Sequence, residues 1–224
     1  MAKPIGPECN LDCSYCYYTE KVALYPPRTQ FRMTDEVLEA YIKGYIEASS
    51  LPEIMFFWQG GEPTLLGLDF FKHVVELQQK YQPNNQTVTN SLQTNGTLID
   101  EAWAGFLAEH NFLIGISIDG PARLHDRFRV GKKNEKTFAK VEQAIKTLQA
   151  GGVEYNTLTT GQRRNYKFGA EVYHYLRDLG VEYMQFIPIV ERRRPDGELA
   201  GPPELEPQND KTKITEWSVP QLGY

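Results

Sequence analysis

The feature that most constrains this chain is an alternation: short apolar runs take turns with longer segments whose apolar residues recur at a helical period. Ile54–Trp58 is wholly apolar, as expected of a strand buried on both faces. Leu113–Ile118 is a second such run, and Thr87–Thr94 reads as a third, less apolar strand. Helical periods lie between them. Val37, Leu38, Tyr41, Ile42, Tyr45 and Ile46 follow a capping Thr34, and Phe70, Phe71, Val74, Val75 and Leu77 form a second set. Trp103, Phe106 and Leu107 follow a capping Asp100, and Phe138, Val141, Ile145 and Leu148 run up to a stop at Gly151-Gly152. Strands alternating with helices predict an α/β fold with mostly parallel strands, closed or partly closed. Gly152-Val153-Glu154-Tyr155 and Gly180-Val181-Glu182-Tyr183, 28 residues apart, read as a repeated structural unit. With a short strand at Ala2–Ile5 the count reaches about six β/α units.

The pattern ends near residue 190, so residues 1–190 form one predicted domain within the 224-residue chain. Residues 191–224 are rich in proline and charge, without apolar period, and read as an irregular tail or linker. The chain stops as apolar residues return after Ile214, which reads as the start of a missing C-terminal region. A formal net charge of −5 argues against nucleic acid or an anionic membrane as partner. No apolar run reaches the roughly 18–20 residues that span a bilayer. The opening MAKPIGPECN lacks a secretory signal, so the expected location is the cytoplasm.

The three cysteines, Cys9, Cys13 and Cys16, all lie in the first sixteen residues. An odd, tightly spaced set is a poor disulfide framework and a better metal site in a reducing compartment. Soft thiolates bind iron–sulfur clusters or zinc. Zinc would need a histidine, and His73, His110, His125 and His174 all lie far from the usual short spacing. A cluster held by three thiolates keeps one iron open to a small molecule.

Polar signatures follow the strands, where α/β barrels collect their chemistry. Gln59-Gly60-Gly61-Glu62 follows Ile54–Trp58; Gln93-Thr94-Asn95-Gly96 and Ser117-Ile118-Asp119-Gly120 follow the next two strands. In Gln59–Glu62 the glycines admit close backbone approach to a ligand, and the acid or amide can bind an ammonium; a plain Gly-Gly turn is the alternative. Asn95 and Asp119 in isolation read equally as turn residues. Arg123, Arg127, Arg129, Lys132 and Lys133 form a basic stretch whose plainest reading is a solvated loop.

Together, KPIGPECNLDCSYCYY, FFWQGGEPTL, NSLQTNGTLID, ISIDGP and MQFIPIVER resemble the radical SAM (S-adenosylmethionine) superfamily and, within it, the anaerobic sulfatase-maturating enzymes. The resemblance implies a partial (β/α)6 radical SAM barrel, a [4Fe–4S] cluster on Cys9, Cys13 and Cys16, and bound SAM. It implies SAM contacts at Tyr15, Gln59, Gly60, Gly61, Glu62, Ser117, Arg129 and Val190, with Asn95 and Asp119 near SAM or peptide. It implies reductive cleavage of SAM to a 5′-deoxyadenosyl radical and oxidation of a sulfatase Cys or Ser to formylglycine. The implied partners are a sulfatase peptide and a reducing donor such as a flavodoxin or ferredoxin. Family members also carry a cysteine-rich auxiliary-cluster domain and an acidic general base beyond the barrel. With no cysteine after Cys16, the expectation is a chain truncated before that domain, its catalytic base unassigned. Thr160-Gly161-Gln162 departs from the family's apolar-apolar-Asn. The alternatives are another radical SAM peptide-modifying enzyme and an inactive cluster- or peptide-binding remnant.

Overall fold

The structure is a computed structural model that describes residues 1–26, 29–162, 164–189, 191–193 and 216–218. After the cysteine loop and a short helix α1 (Tyr17–Lys21), the chain alternates as its apolar pattern requires. The order is α2 (Asp35–Ala48), β1 (Glu53–Trp58), α3 (Leu68–Tyr81), β2 (Thr87–Thr94), α4 (Glu101–Glu109), β3 (Phe112–Ser117), α5 (Ala122–His125), α6 (Phe138–Ala150), β4 (Tyr155–Gly161), α7 (Gly169–Asp178) and β5 (Met184–Pro188). The five strands pair in parallel in the order β1-β2-β3-β4-β5 and form a curled half-barrel. Ala2–Ile5, read above as a short strand, contributes a single parallel bridge from Ala2 to Trp58. In the tail, β6 (Glu191–Arg193) pairs antiparallel with β7 (Glu216–Ser218). Most of residues 191–224 lies outside the described residues.

Local chemistry sets the boundaries. The Thr34 hydroxyl accepts from Val37 N and opens α2, and the Asp100 carboxylate accepts from Trp103 N at 2.9 Å and opens α4. The repeated Gly-Val-Glu-Tyr marks two identical helix stops. Val153 N reaches Leu148 O and Gly152 N reaches Gln149 O; Val181 N and Gly180 N do the same to Leu176 O and Arg177 O. Both glycines sit at positive φ, +67° and +84°, the left-handed turn this stop requires.

The core lies between helices and one face of the sheet. Phe56 and Trp58 are fully buried against Tyr41 of α2, and Trp58 also meets Phe70 and Phe71 of α3. The expectation that Ile54–Trp58 is buried on both faces fails. Met55 is 50% exposed and Phe57 half-buried. Their side chains point to the inner face of the half-barrel, away from the helices that cover Phe56 and Trp58, because successive strand residues alternate faces. Val37 and Tyr45, which share the helical period of α2, are exposed, leaving Leu38, Ile42 and Ile46 as its buried stripe.

Candidate active site

The cysteine loop lies across the C-terminal ends of the strands and is gripped from two sides. On one side stands the loop after β1. Gly61 N donates to Gly6 O and Glu62 N to Glu8 O, each at 2.8 Å. A Cβ on Gly61 would fall 1.9 Å from Glu8 O, and one on Gly60 would fall 2.8 Å from Gly6 O. These glycines therefore admit the backbone leading into Cys9, the close approach their type allowed, but to the chain itself.

Glu62 is fully buried. Its carboxylate accepts from Thr64 N and Thr64 Oγ1, from Thr94 Oγ1 at 2.8 Å and from Asn95 N at 2.6 Å. Burial pushes its pKa up, against the pull of those donors. It acts as a brace joining the end of β1 to the end of β2. Asn95, placed by that brace, sends its Nδ2 to Asn10 Oδ1 at 2.8 Å and to Cys9 Sγ at 3.7 Å. Gln59 is half-buried, with its N–H on Ala2 O.

On the other side stand the ends of β3 and β4. Asp12 N donates to Val130 O and Ser14 N to Phe128 O, and Leu11 bridges Gly131. The Tyr15 hydroxyl, between two cysteines, donates to Asp119 Oδ2. Asp119 is fully buried; its Oδ1 accepts from Thr160 N at 3.0 Å. Arg129 Nε stands 3.0 Å from Asp119 Oδ2, an ion pair off the hydrogen-bonding line, and its Nη2 reaches Thr160 Oγ1 at 3.3 Å. The guanidinium also lies over the Tyr15 ring, 5.5 Å from its centroid. Burial opposes the charge on Arg129, but Asp119, Tyr15 and Cys13 outweigh it and raise its pKa. The Tyr15 phenol is held neutral, chiefly by burial. Ser117 is half-buried and accepts from Gln93 Nε2 at 3.2 Å across the inner face. Val190 lies outside the described residues.

Sequence reasoning missed His125 and Thr137 as parts of this site, and marked Thr160 only as a departure from the family pattern. Asp119 N donates to His125 Nδ1 at 3.3 Å, which leaves Nε2–H to donate to Thr137 Oγ1; the Thr137 hydroxyl in turn donates to Arg129 O at 2.6 Å. Burial, reinforced by Arg129, pulls the His125 pKa down to about 4. Position alone carried one signal for it: a histidine six residues after a strand-end aspartate. Gln162, from the atypical Thr160-Gly161-Gln162, is buried and its Nε2 has no partner among the described residues. A cavity of about 810 Å³ lies at the opposite end of the sheet among Leu113, Tyr155, Asn156 and Gln185. It takes no part in this site.

The residues fit an iron–sulfur cluster. Burial pushes the Cys13 thiol up to about 12 and the Cys9 thiol up to about 11, so thiolates here call for a compensating cation. Arg129 opposes that shift at Cys13, and N–H groups of Leu11 and Asn95 already point at Cys9 Sγ, at 3.3 and 3.7 Å. The histidines do not join them: His125 is bonded elsewhere, and His73, His110 and His174 sit on or at the end of outer helices. Among the described residues no three His, Cys, Asp or Glu converge on a single ion.

A parallel β/α half-barrel with a three-cysteine loop across its strand ends defines the class of the molecule. The chain matches the Radical SAM superfamily over residues 4–187, and it belongs to that superfamily. Membership implies a [4Fe–4S] cluster and SAM as its cofactors. It is 42% identical over 192 residues to the serine-type anaerobic sulfatase-maturating enzyme of Bacteroides thetaiotaomicron, covering 86% of this chain and 46% of that protein. It is 40% identical over 187 residues to the cysteine-type enzyme of Clostridium perfringens, covering 84% and 50%. The solved structure of native anSMEcpe with bound AdoMet and Cp18Cys peptide superposes with a TM-score of 0.76 at 40% identity, over 83% of this chain and 49% of that one. The chain spans about half the length of the curated relatives it matches.

Proposed function

We propose that residues 1–190 are the radical SAM domain of an anaerobic sulfatase-maturating enzyme, and that residues 191–224 lead toward a further region of the protein. The observation that carries this reading is the two-sided grip on the cysteine loop. Glu62 and Asn95 hold the Cys9 end, and Asp119, through Tyr15, holds the stretch between Cys13 and Cys16. Relatives of both serine and cysteine type match at 40% identity or slightly more, which supports a sulfatase peptide as substrate.

In this reading Cys9, Cys13 and Cys16 hold the cluster. When bound, the cluster and SAM supply reductive cleavage to a 5′-deoxyadenosyl radical that abstracts hydrogen from the target Cys or Ser. The chain's own residues position and shield. Arg129, fixed through Nε by Asp119, offers its remaining η donors to the SAM carboxylate or ribose. Ser117 lies on the inner face beside Gln93, and Gln59, Gly60 and Val190 are assigned to SAM by family position alone. Glu62 serves SAM indirectly, through Asn95 and the Cys9 loop. The exposed inner face of β1 and the Gln93–Ser117 pair would border the peptide. Holding the reactants in one geometry is the proximity contribution to rate. The expected setting is the cytoplasm, with an electron supplied by a reduced flavodoxin or ferredoxin. Among the described residues no helix is long and apolar enough to cross a membrane.

The test is anaerobic reconstitution of the protein, followed by iron analysis and assay for 5′-deoxyadenosine with dithionite and SAM. A [4Fe–4S] spectrum with SAM cleavage is expected. A mononuclear zinc protein, or a full cluster that leaves SAM intact, would overturn the reading.

A further inference from the structure

The basic stretch flagged in the sequence is not a free loop. Val130 pairs with Lys136, and Asn134 turns the chain at φ +62°. The resulting hairpin is bonded along the cysteine loop through Val130 O, Phe128 O and Gly131. Its outer surface presents Arg127, Lys132, Lys133 and Lys136, with Lys140 beside it at the start of α6, all exposed. Two exposed carboxylates accompany them, Asp12 and Glu135. Glu135 folds back over Gly131, its carboxylate accepting from Lys133 N at 2.7 Å.

Clustering sets this patch apart, for Lys3, Lys21, Arg32, Arg164 and Lys167 also lack an ion pair among the described residues but are not gathered on one hairpin. Lys43, Lys72, Lys80, Arg123, Lys146 and Arg177 each reach a carboxylate. Among the described residues none of the five cations around the hairpin does. The chain as a whole carries −5, so an acidic partner is repelled by most of the surface and attracted here. Such a field orients an encounter and speeds association more than it strengthens a settled complex. That suits electron-transfer encounters, which bury less than about 1,200 Å².

The geometry points to this hairpin as the docking surface for an acidic one-electron carrier protein of the flavodoxin kind. Resting on the reading that the site takes up one electron, it gives that electron an entry face: the reduced flavin of the docked carrier would give it up to the cluster that Cys9, Cys13 and Cys16 would hold. A nucleic acid fits the patch less well, since Phe128 beneath it is buried and offers no stacking face.

The test uses reduced acidic flavodoxin, with dithionite as the small-molecule control, on the protein and its Lys132→Glu/Lys133→Glu/Lys136→Glu variant. Flavodoxin binding to the wild type should weaken steeply with added salt. The variant should bind at least about tenfold more weakly and lose flavodoxin-driven deoxyadenosine formation in proportion, while keeping its dithionite-driven rate. Equal flavodoxin coupling in both proteins would overturn the assignment. So would a parallel fall with dithionite, which would make the hairpin a support of the cysteine loop, or a selective loss of sulfatase-peptide or oligonucleotide binding. Salt-sensitive flavodoxin binding by a wild type that never cleaves SAM would sustain the surface and sink the proposed function instead.

Discussion

The two faces of this sheet are built on opposite principles. On the outer face Phe56, Trp58, Leu92, Ile114 and Ile116 are sealed under helices, and the Trp58 indole N–H meets Asn90 Oδ1 at 2.8 Å. The strand ends and inner face carry Glu62, Asn95, Asp119 and Arg129, just as buried but held by named hydrogen bonds and one ion pair. Apolar packing is tolerant of detail and sums over many contacts. A buried polar network is directional, and each unpaired member costs free energy. The outer face should therefore govern stability, and the strand ends should govern cofactor binding.

Three experiments sharpen that division. The largest effect is expected from Cys13→Ala, which should abolish the cluster and SAM cleavage while far-UV circular dichroism stays native; retained cleavage would contradict the ligand assignment. Trp58→Ala should do the reverse, costing about 3–5 kcal/mol in urea unfolding, with an intact cluster in whatever protein remains folded. A loss below about 1 kcal/mol would mean that the outer face is not the stabilising one.

The smallest effect is a pH dependence. His125 is held down to about 4 in the folded protein, whereas an unfolded histidine titrates near 6.5. Between these values the unfolded state binds the extra proton, so stability should fall as pH drops through that window. The loss is on the order of 3 kcal/mol. His125→Gln should remove this part of the slope; an unchanged slope would show that the imidazole is accessible when folded.

Much of this was legible in the chain. The helical stripes, the caps at Thr34 and Asp100 and the glycine stops before Val153 and Val181 are local, and local rules predict them. Met55 and Phe57 misled, because an apolar run reports side-chain type and not which face a helix will cover. The roles inside the site were less legible. Glu62 and Asn95 read as ligand groups, yet their side chains tie the strand ends to the cysteine loop through partners 32 to 86 residues away. Nothing in a linear sequence marks such partners.

By itself, then, the sequence determined the parallel β/α order, the three-thiolate loop and the polar strand ends, since periodicity and motif spacing are properties of neighbours along the chain. Only the tertiary structure decided that Gly60 and Gly61 accommodate the backbone before Cys9, that Asp119 ties Tyr15 to Arg129, and that the hairpin backbone at Phe128–Gly131 is bonded along the cysteine loop. Those are contacts between distant segments, and they come into being when the sheet curls and brings its strand ends together.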